Sequence, residues 1–277
     1  MSDGDRALFM QERKVKILEL LSERNKVTVS ELCDLFKVSG GTIRSDLNDL
    51  DASGLLVKTH GGAMKKTKAA FEPRTVEREI DELPAKERIA EEALGLIEDG
   101  DVILLDAGTT VFELAKRLAH RKNLFVVTND TQTANYLEKI EGISTFLIGG
   151  MLRQGFHCIV GTLGVDMLSK ITVDTAFMST NSFSVTKGAM SPDLQQSEIR
   201  NKMSESASRV VLLCDRTKIG KTSFAQSIPI DRIDVLITDS LSREDSAQLE
   251  EAGVRVIIAS PHEEKPFSST SASRTSK

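Results

Sequence analysis

The chain has 277 residues, 40% of them hydrophobic and 28% charged, which is the composition of an ordinary folded protein and excludes a largely disordered one. At about 150 residues per domain, this length predicts one domain and a smaller second one. The formal net charge is −5, but up to Lys68 there are 12 basic and 10 acidic residues, against 24 and 31 in the remainder. This difference in sign is compatible with a small DNA-reading module attached to an acidic body.

Cysteine, aromatic and apolar content exclude several further classes of protein. Three cysteines, Cys33, Cys158 and Cys214, are too widely spaced for a zinc cluster and odd in number, so we expect reduced thiols. The absence of tryptophan and the single tyrosine disfavour a single-strand binder that stacks bases on aromatic rings. No run approaches the roughly 18 apolar residues of a membrane span, and residues 1–10 lack the apolar stretch of a secretion signal. These features predict a cytoplasmic protein with no membrane partner.

The N-terminal part carries the pattern of three short helices. Apolar spacing, with a break at residues 25–29, predicts helices over residues 8–21, 30–36 and 40–53. Ser39 can accept a hydrogen bond from an early backbone N–H group and so cap the third helix. The arc of that helix that must face the core consists of Ile43, Leu47 and Leu50.

The opposite arc of the third helix is polar and carries Gly41, Thr42, Arg44, Ser45, Asn48 and Asp49. Such a face suits the major groove of DNA, because arginine pairs with guanine edges and asparagine with adenine edges. Residues 55–63 follow as a β-like run with a glycine turn, which is typical of the wing of a winged helix-turn-helix. We therefore interpret residues 1–64 as a DNA-binding domain with the candidate contacts Ser39, Gly41, Thr42, Arg44, Ser45, Asn48, Lys58 and His60. A small helical domain with an ordinary polar face is the alternative.

Residues 65–84 are predicted to be a linker, since residues 64–72 are basic and weakly patterned and residues 73–84 are charged and contain two prolines. Strand and helix patterns alternate after it. Short apolar runs predict strands at residues 102–105, 124–127, 145–148, 175–178, 210–214, 235–237 and 254–258. Amphipathic patterns predict helices at residues 85–97, 111–119, 131–140, 193–208 and 242–251. This alternation favours an α/β domain over residues 85–260 with a mostly parallel, doubly wound sheet. Residues 261–277 are rich in serine, threonine and charge and are expected to be a disordered tail.

The candidate site of this domain follows from its sheet, since ligands of open α/β sheets bind beyond the carboxyl ends of the strands. Residues 106–110, Asp-Ala-Gly-Thr-Thr, lie between a strand and a helix, where free backbone N–H groups attract an anion such as phosphate. Carboxylates and amides after other strands suit sugar hydroxyls, and two lysines could neutralise a phosphate. The candidate effector-binding residues are Asp106, Ala107, Gly108, Thr109, Thr110, Thr128, Asn129, Asp130, Gly149, Gly150, Asn181, Lys202, Asp215 and Lys218. Asp215 is equally explained as a helix or turn cap.

The sequence offers few candidate catalytic residues. Among the four histidines only His157 is expected near the strand ends, and no Ser-His-Asp set, nucleophile elbow or metal-spaced group can be assembled. We therefore predict no catalytic residue, no metal and no cofactor. The enzymatic alternative is a sugar-phosphate isomerase with an accessory DNA-binding domain and a strand-end carboxylate such as Asp215 as general base.

Several motifs together resemble the DeoR family of bacterial transcription regulators. They are residues 38–47 (Val-Ser-Gly-Gly-Thr-Ile-Arg-Ser-Asp-Leu), 54–56, 60–63 and 106–110, Thr128 with Asn129, Gly149 with Gly150, Glu198 with Lys202, and Asp215 with Lys218. They occur in the family's order over about residues 12–259. The chain departs from the family pattern at Ser45, at residues 179–182 and at Asp130, and the last two departures fall in the expected pocket.

The resemblance implies a C-terminal sensor domain with the fold of ribose-5-phosphate isomerase. It also implies a repressor of operons for sugar uptake and catabolism, relieved by a phosphorylated sugar effector. Since one short helix reads few base pairs, we expect a symmetric homo-oligomer, a dimer or a tetramer, on paired half-sites of double-stranded operator DNA. A DNA-binding sensor for an unphosphorylated polyol is the other alternative.

Overall fold

The computed structural model describes residues 10–24, 26–59, 61–65, 72 and 75–260, so His60 and the predicted tail at residues 261–277 lie outside the described residues. The α-helices, numbered in chain order, are α1 Met10–Arg24, α2 Val29–Phe36, α3 Gly40–Ala52, α4 Thr75–Ile80, α5 Leu83–Leu94, α6 Thr109–Arg117, α7 Thr131–Leu137, α8 Thr162–Leu168, α9 Leu194–Glu205 and α10 Arg243–Glu251. The β-strands are β1 Lys26–Thr28, β2 Leu56–Thr59, β3 Gly62–Lys65, β4 Val102–Leu105, β5 Leu124–Thr128, β6 Ile143–Leu147, β7 Met151–Leu152, β8 Ile159–Val160, β9 Val173–Ser179, β10 Ser182–Ser184, β11 Gly188–Ser191, β12 Ala207–Leu213, β13 Ala225–Ile228, β14 Val235–Thr238 and β15 Arg255–Ile258. None of these helices has the length and apolarity that crossing a membrane requires.

Helices α1, α2 and α3 pack with a small antiparallel sheet of strand order β1-β3-β2, which confirms the predicted winged helix-turn-helix. Their core is formed by the buried side chains of Ile17, Leu21, Val27, Leu32, Phe36, Ile43, Leu47, Leu50, Leu56 and Ala63. The break predicted at residues 25–29 contains strand β1, which has only three residues and therefore shows no alternation in the sequence.

Side-chain caps fix the turn between α2 and α3. At the start of α2, the Glu31 amide donates to Thr28 Oγ1 at 3.2 Å and the Thr28 amide donates to the Glu31 carboxylate at 2.9 Å, which is a capping box. Lys37 ends α2 in the left-handed region, at a φ of 54°. Ser39 Oγ then accepts the Thr42 amide at 3.2 Å, so the cap predicted for the third helix is confirmed.

The C-terminal domain is built on a seven-stranded sheet of order β15-β14-β12-β9-β4-β5-β6, in which all neighbours are parallel. Leu104 of β4 belongs to a core shared with side chains of α8 and α9, whereas Ile103 and Leu105 belong to a second core with side chains of α5 and α6. Helices on both faces make the sheet doubly wound, which confirms the predicted α/β architecture. The strands of the β7–β8 and β10–β11 hairpins are too short for sequence patterns to predict them.

The segment predicted as a linker contains secondary structure that contacts the C-terminal domain. Helix α4 lies within residues 65–84, and the Thr75 amide at its start donates to the Gly155 carbonyl at 3.1 Å. Lys86, on the buried face of α5, donates to the main-chain carbonyls of Arg78 and Asp81 and so ties α4 to α5. Helix α4 and the start of α5 therefore form part of the domain surface.

Candidate DNA interface and sensor pocket

The outer face of α3 is polar and accessible, whereas its inner face is buried. The inner face consists of Ile43, Leu47 and Leu50, as the periodicity predicts. The outer face presents Gly41, Thr42, Arg44, Ser45 and Asn48. An arginine and an asparagine on one exposed helix face supply the donors and acceptors that read base edges in a major groove.

A buried ion pair holds α3 against α1, and no sequence pattern reveals it. Arg13 Nε donates to Asp46 Oδ2 at 2.6 Å, and Arg13 Nη2 donates to Asp46 Oδ1 at 3.2 Å. The two side chains are only 8% and 3% exposed. An exposed pair, Lys14 with Asp49 at 2.8 Å, joins the same helices. Because a two-point pair is geometrically specific, it fixes which residues of α3 face outward.

The wing lies next to the outer face of α3. Lys58 Nζ in β2 donates to Asn48 Oδ1 at 2.5 Å, and the Lys58 amide donates to Asp51 Oδ1 at 3.2 Å. Gly62 in β3 packs so tightly on β1 that an added Cβ would lie 2.0 Å from the Val27 carbonyl oxygen. Helix and wing thus form one continuous polar surface.

A cavity opens at the carboxyl ends of the central strands, where the sequence predicts the sensor site. It is lined by Arg78, Lys86, Gly108, Thr109, Thr110, Ser179, Thr180, Leu213, Cys214, Asp215 and Lys218. Three of these side chains are cationic and one is a carboxylate. The N-terminus of α6 also faces this cavity, and Gly108, its N-cap, offers no side chain to its free N–H groups. The cavity is therefore suited to an anion.

Two of the three cations were not predicted as site residues. Arg78 comes from α4 and Lys86 from α5, both outside the strand ends at which the sequence predicts the site. Arg78 Nε is buried without a hydrogen-bond partner among the described residues, and burial lowers the pKa of Lys86. A signal existed for Lys86, because it shares the apolar stripe of α5 with Ile89, Ala90 and Ala93.

A fully buried pair, Asp106 with Arg200, supports the turn that precedes α6. Asp106 Oδ2 accepts Arg200 Nε at 2.8 Å, the Ser179 amide at 3.0 Å and Ser179 Oγ at 2.7 Å. Arg200 also donates to the Ala107 carbonyl at 3.2 Å and to Asn181 Oδ1 at 2.8 Å. Asp106, Ala107 and Asn181, predicted as ligand contacts, thus belong to a network that shapes the cavity floor.

Lys202, predicted to neutralise a phosphate, does not line this cavity. Its ammonium pairs with Glu205 at 3.2 Å in the last turn of α9. Arg200 precedes Lys202 by two residues on α9. Because residues two apart on a helix lie about 200° apart around its axis, Arg200 points into the domain while Lys202 does not. Lys202 therefore lies on the predicted helix but is not among the residues that line this cavity.

The residues predicted after β5 and β6 also serve the scaffold. Thr128 Oγ1 donates to the Leu105 carbonyl at 2.7 Å, and Asn129 accepts the Ala107 amide at 2.9 Å. Asp130 caps α7 by accepting the Gln132 amide at 2.9 Å. Gly149 and Gly150 lie in the turn into β7, where a Cβ on Gly150 would come within 2.6 Å of the Val160 carbonyl oxygen. None of these five residues lines the cavity.

Two of the predicted site residues follow β12, and both lie at the cavity. Asp215 and Lys218 both line the cavity. Asp215 also accepts the Thr217 amide at 3.0 Å, so its alternative role as a turn cap applies as well. Asp239, which follows β14, contacts the same turn, since its Oδ1 accepts the Arg216 amide at 2.7 Å.

Comparisons with known proteins match both parts of the chain. The DeoR-like helix-turn-helix domain matches residues 13–69, and the DeoR C terminal sensor domain matches residues 81–240. The transcriptional regulator GolR of Listeria innocua is 35% identical over 91% of this chain and 100% of its own length. The transcriptional repressor GlcR of Bacillus subtilis is 32% identical over 93% of this chain and 100% of its own length. Among solved structures, ribose 5-phosphate isomerase A of Methanocaldococcus jannaschii is 20% identical over 48% of this chain and 53% of its own, with a TM-score of 0.36.

Proposed function

Because this chain belongs to the DeoR family of transcriptional regulators, we propose that it represses an operon for carbohydrate uptake or catabolism and that a phosphorylated sugar relieves the repression. The observation that carries this proposal is the cavity in which Arg78, Lys86 and Lys218 meet the N-terminus of α6. The same chain carries this cavity and the exposed polar face of α3, which is the combination that a ligand-controlled DNA-binding protein needs. The similar proteins named as transcriptional regulators and repressors support the same reading.

The charge of the cavity favours a phosphate ester over an unphosphorylated polyol. Three cations face one cavity carboxylate, Asp215, and Lys218 has only a distant partner in Asp81 at 3.9 Å. An excess of positive charge near a partly buried helix N-terminus is stabilised by a ligand that carries negative charge. Thr109 and Thr110 add two hydroxyls and free N–H groups, which are the donors that phosphate oxygens accept.

DNA binding is assigned to the outer face of α3 and to the wing. Arg44 and Asn48 are the candidates for reading base edges, with Ser39, Thr42 and Ser45 near the backbone and Lys58 beside the duplex. A homo-oligomer on two half-sites would combine the contacts of two such helices.

The DNA assignment is tested with the promoter region upstream of the protein's own gene as the probe. Arg44→Ala should abolish footprinting of a specific site while phosphate-ligand binding is retained. Arg243→Ala, which removes an exposed arginine on α10, is the matched control and should bind as the wild type. Unchanged affinity of Arg44→Ala in a mobility-shift titration would contradict the assignment.

The sensor assignment is tested by calorimetry with a panel of sugars and their phosphate esters. The wild type should bind one or more esters and not the parent sugars, and Lys218→Ala should weaken that binding at least tenfold. Lys170→Ala, an exposed lysine after α8, is the control. Gly108 is a poor target, because a Cβ there would lie 2.4 Å from Ser179 Oγ and disturb the Asp106 network. Equal binding of sugar and ester would favour the polyol sensor instead.

The same panel separates a sensor from an isomerase. Burial raises the pKa of the Cys214 thiol, the one sulfur group among the cavity residues, so it contributes a neutral wall rather than a nucleophile. Asp215 is engaged in capping its own turn. We expect the esters to be recovered unchanged after incubation, and conversion between aldose and ketose phosphates would overturn the sensor proposal.

A further inference from the structure

The predicted linker, residues 65–84, is called the connecting segment. It contains Glu72, an acidic residue whose carboxylate is buried in the sensor domain. Its side chain is only 4% exposed. Asn181 Nδ2 donates to Glu72 Oε1 at 2.7 Å, and Arg153 Nη2 donates to Oε2 at 3.1 Å. Arg78 Nη1 lies 3.5 Å from Oε1. Two guanidinium groups and an amide therefore form a built site for one carboxylate, which offsets the cost of burying it.

This carboxylate site shares a cation with the sensor cavity. Arg78 pairs with Glu72 and also lines the cavity next to Thr109 and Lys218. Asn181 is shared as well, because its Oδ1 accepts Arg200, the partner of Asp106 beneath the cavity. An anion that enters the cavity therefore acts on groups that already hold Glu72.

Residues that follow Glu72 also contact the sensor domain. Gln132 Nε2 donates to Glu79 Oε1 at 2.9 Å, and Arg216 pairs with Glu82 at 3.4 Å. Ile80 and Leu83 line a neighbouring cavity with Thr109 and Phe112 of α6. Helices α4 and α5 thus contribute Arg78 and Lys86 to the lining of the ligand cavity.

We propose that Glu72 is an internal anionic ligand that docks the connecting segment on the sensor, and that the phosphate of the effector competes with it for Arg78. Displacement of Glu72 frees the segment next to the DNA-binding domain and lowers the affinity for DNA. The identity of the competitor as a phosphate ester rests on the proposed function. Docking of Glu72 in the unliganded protein is then the state that binds the operator.

The test compares full-length wild type, Glu72→Gln and Glu87→Gln, with inorganic phosphate and D-glucose 6-phosphate as probes. Glu72→Gln keeps the size of the side chain and removes the competing charge, so it should bind a probe at least fivefold more tightly than the wild type. It should also bind the promoter fragment at least fivefold more weakly without a probe and lose most of the effect of a probe on DNA binding. Glu87→Gln removes an exposed acid from the neighbouring helix α5 and should behave as the wild type.

The outcomes separate this inference from the function on which it rests. If Glu72→Gln binds probes and DNA as the wild type does, the competition is refuted and the sensor proposal stands. If no form of the protein binds a probe or any phosphate ester, the sensor proposal fails and the competition fails with it. Should Glu72→Gln not fold, tryptic cleavage of the wild type after Lys66 or Lys68 supplies the measurement. Phosphate should accelerate that cleavage, and an unchanged rate would refute displacement.

Discussion

At the scale of single residues, the Arg13–Asp46 pair is the interaction on which the orientation of α3 depends most. Asp46→Ala takes the carboxylate away from a guanidinium that is 8% exposed, so we expect a loss of about 3–5 kcal/mol in the free energy of unfolding of the DNA-binding domain. Asp49→Ala removes the carboxylate of the Lys14 pair, which is 55% exposed, and should cost less than about 1 kcal/mol. Urea unfolding followed by circular dichroism measures both losses. Similar losses would show that burial does not determine how much an ion pair contributes to the free energy of unfolding.

Asp130 gives the sensor domain a specific pH dependence. Burial raises the pKa of its carboxyl to about 6 from an ordinary value of 3.8. Because the folded state holds the proton more tightly than the unfolded state, the ionised carboxylate costs stability above pH 6, and this cost disappears as the pH falls towards 4. Asp130→Asn keeps an oxygen that can accept the Gln132 amide and removes the titration.

The comparison is made by urea unfolding at about pH 5 and pH 7.5. Between these values the wild type should lose roughly 1–2 kcal/mol relative to Asp130→Asn, from about 1.4 kcal/mol per pKa unit over the part of the shift that titrates there. The variant should be the more stable protein at the higher pH. An identical pH dependence in the two proteins would mean that the carboxyl of Asp130 titrates normally in the folded state.

At the scale of elements, the wing depends on one glycine and not on its neighbour. Ala at position 62 would place a Cβ 2.0 Å from the Val27 carbonyl and 2.8 Å from Thr28 Cα, so β3 and β1 would have to separate. We expect Gly62→Ala to cost roughly 1–3 kcal/mol and to weaken operator binding. Gly61→Ala meets nothing within 4 Å and should change stability by less than about 0.5 kcal/mol. Operator titration and thermal unfolding of both variants check this, and tolerance of Gly62→Ala would refute the close packing.

The elements also show which features sequence patterns can predict. Strand β4 is predicted with its observed bounds because its four residues form a short apolar run between turn residues, and the Ser39 cap is local chemistry. Strand β1 is missed because three residues carry no period. The partnership of Arg200 with Asp106 spans 94 positions of the chain, and that of Glu72 with Asn181 spans 109, so no local pattern contains either. The fold was therefore predictable, but much of the site was not.

At the scale of the whole molecule, the hydrophobic cores divide the chain into two parts. Within the described residues, the core around Ile17 and Leu47 contains side chains from α1 to β3 only, whereas the two cores around the large sheet contain side chains from α5 onward. A domain of fewer than 70 residues buries a smaller fraction of its surface than a larger one. The DNA-binding domain should therefore be the less stable part, and unfolding should not be two-state.

The single tyrosine of the chain allows the two transitions to be measured separately. Tyr136 lies in α7, its ring meets Phe112 edge-on at 5.8 Å, and the chain has no tryptophan, so tyrosine fluorescence reports on the sensor alone. Circular dichroism reports on both domains, so the two midpoints should differ.

Asp46→Ala should lower the first transition seen by dichroism and leave the fluorescence midpoint in place. A bound phosphate ester at about 100 times its Kd should stabilise the fluorescence transition by about 2.7 kcal/mol. If Asp46→Ala shifts both signals equally, the two domains unfold as one cooperative unit, and coupling between the sensor and the DNA would then run through a shared structure rather than through the docking of a connecting segment.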